Sequence, residues 1–169
     1  MNEKKQTSNF VGIQLPILTK FGIIFDLFKE VKKSQDGQNY VQYSVMIKII
    51  PGKNVGEYDN SKAFTMKTRL EDVFGLSGAL LAASYGQQVS YSIITDSSKN
   101  VYSDTSAQKM IYVKSDKGKI MLGASCKFSD GTKITDGVSL DRFKAYGIAK
   151  SIDEFCKACF NYIFTNNSK

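Results

Sequence analysis

Residues 51–81, PGKNVGEYDNSKAFTMKTRLEDVFGLSGALL, decide the fold of this chain. Pro51-Gly52 stops an apolar strand, and a polar loop through Val55 and Tyr58 leads to a short strand over Ala63 to Lys67. Thr68 and Glu71 stand at capping-box spacing, where each side chain satisfies a free backbone N–H at a helix start. Leu70, Val73, Phe74, Ser77, Leu80 and Leu81 then recur at helical spacing, and the pattern ends at Tyr85-Gly86.

Upstream lie a polar tail (1–9) and three more strands. Phe10 to Leu18 reads as extended, with Pro16 placing it at an edge or bend. Phe21, Ile23, Phe25 and Leu27 alternate down a second strand, which ends in the Ser34-to-Gly37 turn. Val41, Tyr43, Val45, Ile47 and Ile49 form one face of a third, leaving Tyr40, Gln42, Ser44, Met46 and Lys48 on the other. Residues 10–84 are thus four strands followed by a helix.

Downstream the order repeats. Val89, Tyr91 and Ile93 alternate, a polar loop runs from Asp96 to Ser106, and a sixth strand covers Lys109 to Lys114. Turn signals at Ser115 to Gly118 and at Asp130-Gly131 flank a seventh strand, with Ile120, Leu122, Ala124, Cys126 and Phe128 on one face. Its other face carries Lys119, Met121, Ser125 and Lys127. A short eighth strand over Lys133 to Thr135 leads past Asp136-Gly137 to a helix capped at Ser139 and running toward Phe164. Phe143, Ile152, Phe155, Cys156, Cys159, Phe160 and Ile163 form its apolar stripe, and a second capping box at Ser151 and Glu154 predicts a break near Lys150. Leu70 to Leu76 and Leu140 to Ile148 place Leu, acid, Phe and Gly in the same order, a weak internal duplication. The expected organisation is one α+β domain over 10–165, with repeats 10–84 and 85–165 and a tail at 166–169.

The chain has 169 residues and no histidine, which excludes Ser-His-Asp and Cys-His triads, a His-ligated zinc and a histidine general base. Cys156-x-x-Cys159 lies deep in a helix on its apolar stripe, away from the N-terminus where the dipole activates a thiol, so it reads as core packing. With Cys126 it makes three possible zinc ligands and no fourth. No phosphate-cradling glycine motif occurs, and the acid pairs Glu71-Asp72 and Asp153-Glu154 fall in helix first turns, where the macrodipole accounts for them. No catalytic residue, metal or cofactor is expected. Three cysteines do not form an even disulfide framework, which points to a reducing, intracellular compartment. Gln14, Pro16 and Lys20 interrupt the first apolar stretch, so neither a signal peptide nor a membrane partner is expected.

The formal net charge is +7, and both halves are basic. All but Arg69 and Arg142 of the basic residues are lysines, point charges suited to phosphate rather than bidentate readers of guanine. Tyr40, Lys48, Tyr112, Lys114, Lys119 and Lys127 fall on the less apolar faces or ends of strands, with Lys62 and Lys67 nearby. An aromatic ring beside a cation offers what a single strand needs, a stacking face and phosphate neutralisation. The expected function is largely sequence-independent binding of single-stranded nucleic acid, DNA ahead of RNA, in replication, recombination, repair or transcription. The alternative is a non-enzymatic structural or protein-interaction module, such as a phage or assembly subunit, whose lysines reflect genome composition. Lysines alternating with acids would favour the module, and a continuous Lys and Tyr track would favour the binder. The last helix carries apolar residues around much of its circumference, so a homo-oligomer is expected with Phe155, Phe160, Ile163 and Phe164 at its interface.

The run Pro51-Gly-Lys-Asn-Val55 through Tyr58-Asp59, Ser61-Lys62 and Phe64 into Leu70-Glu-Asp-Val-Phe-Gly-Leu76 resembles the Whirly family of single-stranded DNA-binding proteins, relatives of the mitochondrial guide-RNA-binding proteins. Asn60 stands where that family has Trp, and its Lys-Gly-Lys-Ala-Ala-Leu segment has no clear counterpart near Thr19 to Phe25. The resemblance implies two packed antiparallel sheets with helices at one end, tetramers formed through helices, and single strands bound along sheet edges. The matched residues read as structural, so no binding residue transfers one by one.

Overall fold

The computed structural model describes residues 9–96, 106–128 and 131–167. The chain alternates two four-strand meanders with two helices: β1 (Phe10–Leu18), β2 (Gly22–Lys33), β3 (Asn39–Ile50) and β4 (Phe64–Thr68), then α1 (Leu70–Ser84). β5 (Val89–Asp96), β6 (Ser106–Asp116), β7 (Lys119–Phe128) and β8 (Lys133–Leu140) follow, then α2 (Arg142–Asn167). Each meander closes one antiparallel sheet in simple sequential order, β1-β2-β3-β4 and β5-β6-β7-β8. The predicted loop between Asp96 and Ser106 lies almost wholly outside the described residues, as do residues 1–8.

Alternation fixes which side of each sheet is dry. Phe25, Leu27, Val45 and Ile47 of the first sheet and Ile111, Val113, Leu122 and Ala124 of the second are buried in one core, closed by Val73, Leu76 and Leu80 of α1 and Ile152 of α2. Lys117 (φ 48) and Gly118 (φ 80) give the β6–β7 hairpin two consecutive left-handed residues, the turn whose twist matches its strands. Polar links then bind the halves together. Ser77 Oγ donates to the Ala149 carbonyl at 2.7 Å, Lys109 Nζ to the Thr65 carbonyl at 2.7 Å, and the Gly52 N–H to Asp136 Oδ2 at 2.9 Å.

Several local expectations shift. The first cap moves by one residue: Arg69 takes the N-cap position, and Asp72 rather than Glu71 accepts its backbone N–H, while the Thr68 hydroxyl donates to the same carboxylate at 2.9 Å. β8 runs through Asp136-Gly137 to Leu140, and Asp136 is held by the Gly52 N–H from the loop after β3. Asp141, not Ser139, caps α2 by accepting the Lys144 N–H at 2.8 Å. α2 is unbroken at Lys150, since Ser151 turns its hydroxyl back to the Gly147 carbonyl and makes no capping box. The helix continues through Asn167. Phe74 and Phe143, read as parts of apolar stripes, are 51% and 90% exposed.

Candidate nucleic-acid interface

Four of the eight sequence-predicted contact residues, Tyr112, Lys114, Lys119 and Lys127, share the outer face of the second sheet. The register sets them in rows. Ser92, Tyr112, Gly123 and Gly137 lie side by side across β5 to β8, followed by Ser90, Lys114, Met121 and Ser139 on one side. Ile94, Met110, Ser125 and Thr135 form the row on the other.

Gly123 explains how the tyrosine sits. A Cβ built there would fall 2.4 Å from Tyr112 Cζ and Oη and 2.9 Å from Cε1, so the end of the ring occupies the space over the glycine. Gly137 continues the trough, with Met121 Sδ 3.4 Å from the position of its missing Cβ. Tyr112 is half-exposed there. Ile94 and Met121, 54% and 39% exposed, flank it with apolar surface.

Around this floor stand Lys114, Lys119, Lys127 and Lys133, all exposed and none ion-paired among the described residues. By register two acidic positions belong to this face, both at its margins: Asp116 opposite Lys119 at the hairpin turn, and Asp96 at the end of the Gln108, Lys127 and Lys133 row. Sequence reasoning missed Lys133, because β8 looked too short to define a face, and missed Gly123, although a glycine inside an apolar strand signals close approach of another group.

The predicted residues of the first half do not converge in this way. Lys67 is ion-paired to Glu30 and lies 5.5 Å from the Phe28 ring centroid, and Lys32 stands 3.9 Å from the same Glu30. Lys62 pairs with Asp59 at 3.2 Å. Hydrogen bonds from Ser61 and Lys62 hold the Asp59 carboxyl below the usual carboxylate range. Lys48 sits half-buried between Ile24 and Thr65, and Tyr40 lies far along the β2–β3 hairpin opposite Lys32. The loop motif itself is structural: Tyr58 donates its hydroxyl to the Thr19 carbonyl at 3.1 Å, and Asp59 caps a 3-10 turn, Asn60–Lys62.

Of the residues predicted at an oligomer interface, Phe155 is 4% exposed, with its ring 6.0 Å from that of Phe25. It is spent on the protomer's own core and leaves the candidate interface. Ile163 is half-buried on that core, whereas Phe160 and Phe164 are exposed. Helical geometry puts Tyr146, Phe160 and Phe164 on one stripe of α2 and Phe74, Gly78 and Tyr85 on one stripe of α1. Tyr85 and Tyr146 join the stripes edge to face at 6.4 Å.

Burial pushes the Cys156 and Cys159 thiols up to about 12, so both stay protonated at neutral pH. Among the described residues no cluster of metal-ligating side chains forms, and no helix is long and apolar enough to cross a membrane.

No family model matches the sequence, and no curated protein matches it. Solved structures do. WHY1 from Arabidopsis thaliana superposes with a TM-score of 0.60 at 15% identity, covering 92% of this chain and 89% of that one. WHY3 from the same plant gives 0.62 at 10% identity, covering 92% of each chain. The plant transcriptional regulator PBF-2 gives 0.62 at 12%, covering 94% of this chain and 96% of that one. These are Whirly proteins, and the likeness fixes the fold: the chain has a Whirly-like α+β architecture of two antiparallel sheets and two helices.

Proposed function

We propose that this protein binds single-stranded nucleic acid without strong sequence preference, DNA ahead of RNA, on the outer face of its second sheet. It acts by binding rather than by chemistry, inside the cell, in replication, recombination, repair or transcription. One observation carries the reading: a tyrosine ring lying over a glycine of the neighbouring strand, beside four exposed lysines that have no ion pair among the described residues. Bases stack on the ring whatever their identity, and the lysines meet the backbone. The Whirly-like fold supports it, since the family resemblance implies single-strand binding, and PBF-2 is a transcriptional regulator.

The first sheet favours the other reading. There lysines alternate with Asp26 and Glu30, the layout of an ordinary solvated face, and a module that binds no nucleic acid would look like this throughout. Titrating fluorescein-labelled oligonucleotides separates the two. Single strands should bind more tightly than duplex of equal length, with a slope of log affinity on log salt of about −3, four phosphates at about −0.7 each. Equal binding of duplex and single strand, or a slope near zero, overturns the proposal.

Self-association through the joined helix stripes completes it, with a homotetramer as the expected state. Phe74, Tyr85, Tyr146, Phe160 and Phe164 offer apolar surface, and Gly78, where a Cβ would meet nothing within 4 Å, lets a second helix approach closely. Light scattering tests this, and a stable monomer at micromolar concentration refutes it.

A further inference from the structure

A groove of about 480 Å³ opens where the end of β1 (Pro16 to Leu18), Val55, the end of β8 and the first turns of α2 meet. That volume suits a small ligand or one nucleotide. Leu18 and Val55, large apolar side chains 59% and 70% exposed, stand at its walls. Gly147 lies in a helix interior, where glycine weakens a helix relative to alanine, yet a Cβ there would meet nothing within 4 Å. No packing contact requires the glycine, and its absent side chain leaves the groove open.

Two cations stand at the rim in loose ion pairs, Lys20 at 3.8 Å from Asp136 and Lys144 at 3.5 Å from Asp141. The Asp136 carboxylate is otherwise committed to the N–H groups of Gly52 and Gly137. Ser139 ties the groove to the lysine face, because it lines the groove and is also the β8 member of the Lys114–Met121 row. β8 is two strands from Tyr112, about 10 Å across the sheet.

We propose that the groove receives one base of the same bound single strand, against Pro16, Leu18, Val55 and Ile148, with the flanking phosphates on Lys20 and Lys144. The inference rests on the strand-binding reading above. It makes the groove a second anchor on one protomer, so that a strand crossing the sheet is held at Tyr112 and again past the β8 edge. Continuity through Ser139 and the cationic rim favour this occupant over a neutral apolar ligand.

The test titrates the 169-residue chain with oligo-dT of about sixteen nucleotides, the upper range for one single-strand-binding domain. Gly147→Leu fills the groove, and Val55→Asp places a carboxylate at its wall from an exposed loop. Each should weaken binding about tenfold while the melting temperature is held. Lys20→Gln with Lys144→Gln should flatten the salt slope by about 1.4. If Gly147→Leu does not fold, Val55→Asp carries the test. Wild-type affinity in a folded variant, with binding still weakened by Tyr112→Ala, overturns the groove assignment and leaves the sheet-face reading standing. Failure of the wild-type protein to bind oligo-dT overturns both. Dodecanoate that binds the wild type, is excluded by Gly147→Leu and is not displaced by oligo-dT would assign the groove to a different amphiphilic anion and overturn the base.

Discussion

Gly123→Ala separates stacking from charge on the candidate face. The added Cβ would lie 2.4 Å from two atoms of Tyr112 and 2.9 Å from a third, about 1 Å inside ordinary contact. Those atoms are the far end of a flexible side chain, so the ring swings up and the strand stays in place. The displacement costs about 0.5–1.5 kcal/mol of rotamer strain, partly offset because glycine is itself a poor strand residue. A base that stacks on a correctly seated ring contributes about 1–3 kcal/mol. Its loss therefore weakens binding about 5- to 150-fold. No lysine moves, so the salt slope of the variant should equal that of the wild type even as affinity falls. Anisotropy titrations of labelled oligo-dT over a salt series measure both quantities, with circular dichroism as the control on folding. Tyr112→Phe keeps the ring and should bind like the wild type, whereas Tyr112→Ala should match or exceed the Gly123→Ala loss. The stacking account is refuted if Gly123→Ala binds normally, or if Tyr112→Phe and Tyr112→Ala are equally weak.

Lys119→Gln combined with Lys127→Gln should flatten the salt slope by about 1.4 and leave base preference unchanged; an unaltered slope would remove these lysines from the phosphate path. Glu30→Gln releases Lys67 and Lys32 and should steepen the slope, while unchanged salt dependence would mean that ion pairing is not what keeps the first sheet silent. Gly52→Ala drives a Cβ to 2.4 Å from the Lys20 carbonyl oxygen, a backbone atom that cannot swing aside, and should destabilise by about 1–3 kcal/mol or more. A melting temperature equal to that of the wild type would contradict it. Burial lowers the Lys109 pKa from its usual 10.5, against a smaller opposing effect from Cys126. Between the folded pKa and 10.5 the unfolded chain holds the proton that the folded chain has lost, so stability gains with rising pH there. Wild-type stability relative to Lys109→Met should therefore climb across that alkaline window, and a relative fall would reverse the assigned cause.

The strands were legible wherever one face is dry and the partner strand is close in sequence. Val45, Ile47 and Ile49, or Ile120, Leu122 and Ala124, announce their own register because period-two alternation is a local signal. What escaped the sequence depends on groups far away along the chain. Asp136-Gly137 reads as lying past the end of a short strand, and is part of β8, its carboxylate meeting Gly52, 84 residues earlier. Phe155 looks like surplus apolar surface on a helix, and is core because Phe25 lies against it. Phe143 matches the apolar stripe of α2 by spacing, yet is 90% exposed, since α2 is apolar on more than one side and spacing does not say which side the sheets cover.

The contact residues follow the same logic one level up. Tyrosine and lysine on solvent-facing strands are common, so residue type selected eight positions without ranking them. The ranking comes from neighbours across the strands. On β2 the outward positions hold Asp26 and Glu30, which reach Gln14 and Lys67 across strands and Lys32 two residues along the same strand. On β6, the second strand of the other meander, the central outward positions hold Gln108, Met110, Tyr112 and Lys114, with Asp116 at the end beside Lys119, and none of Lys114, Lys119, Lys127 and Lys133 is ion-paired among the described residues. A polyanion approaching the first sheet must displace carboxylates from the lysines it would use, and each displaced pair returns part of the binding free energy. On the second sheet Lys114, Lys119, Lys127 and Lys133 are exposed and have no ion pair among the described residues, so under the proposed reading condensed counterions released from the strand would supply the driving force directly. Two sheets of one topology thus differ in how far acids pair with their outward lysines, so the duplication visible in the sequence does not make two equivalent faces.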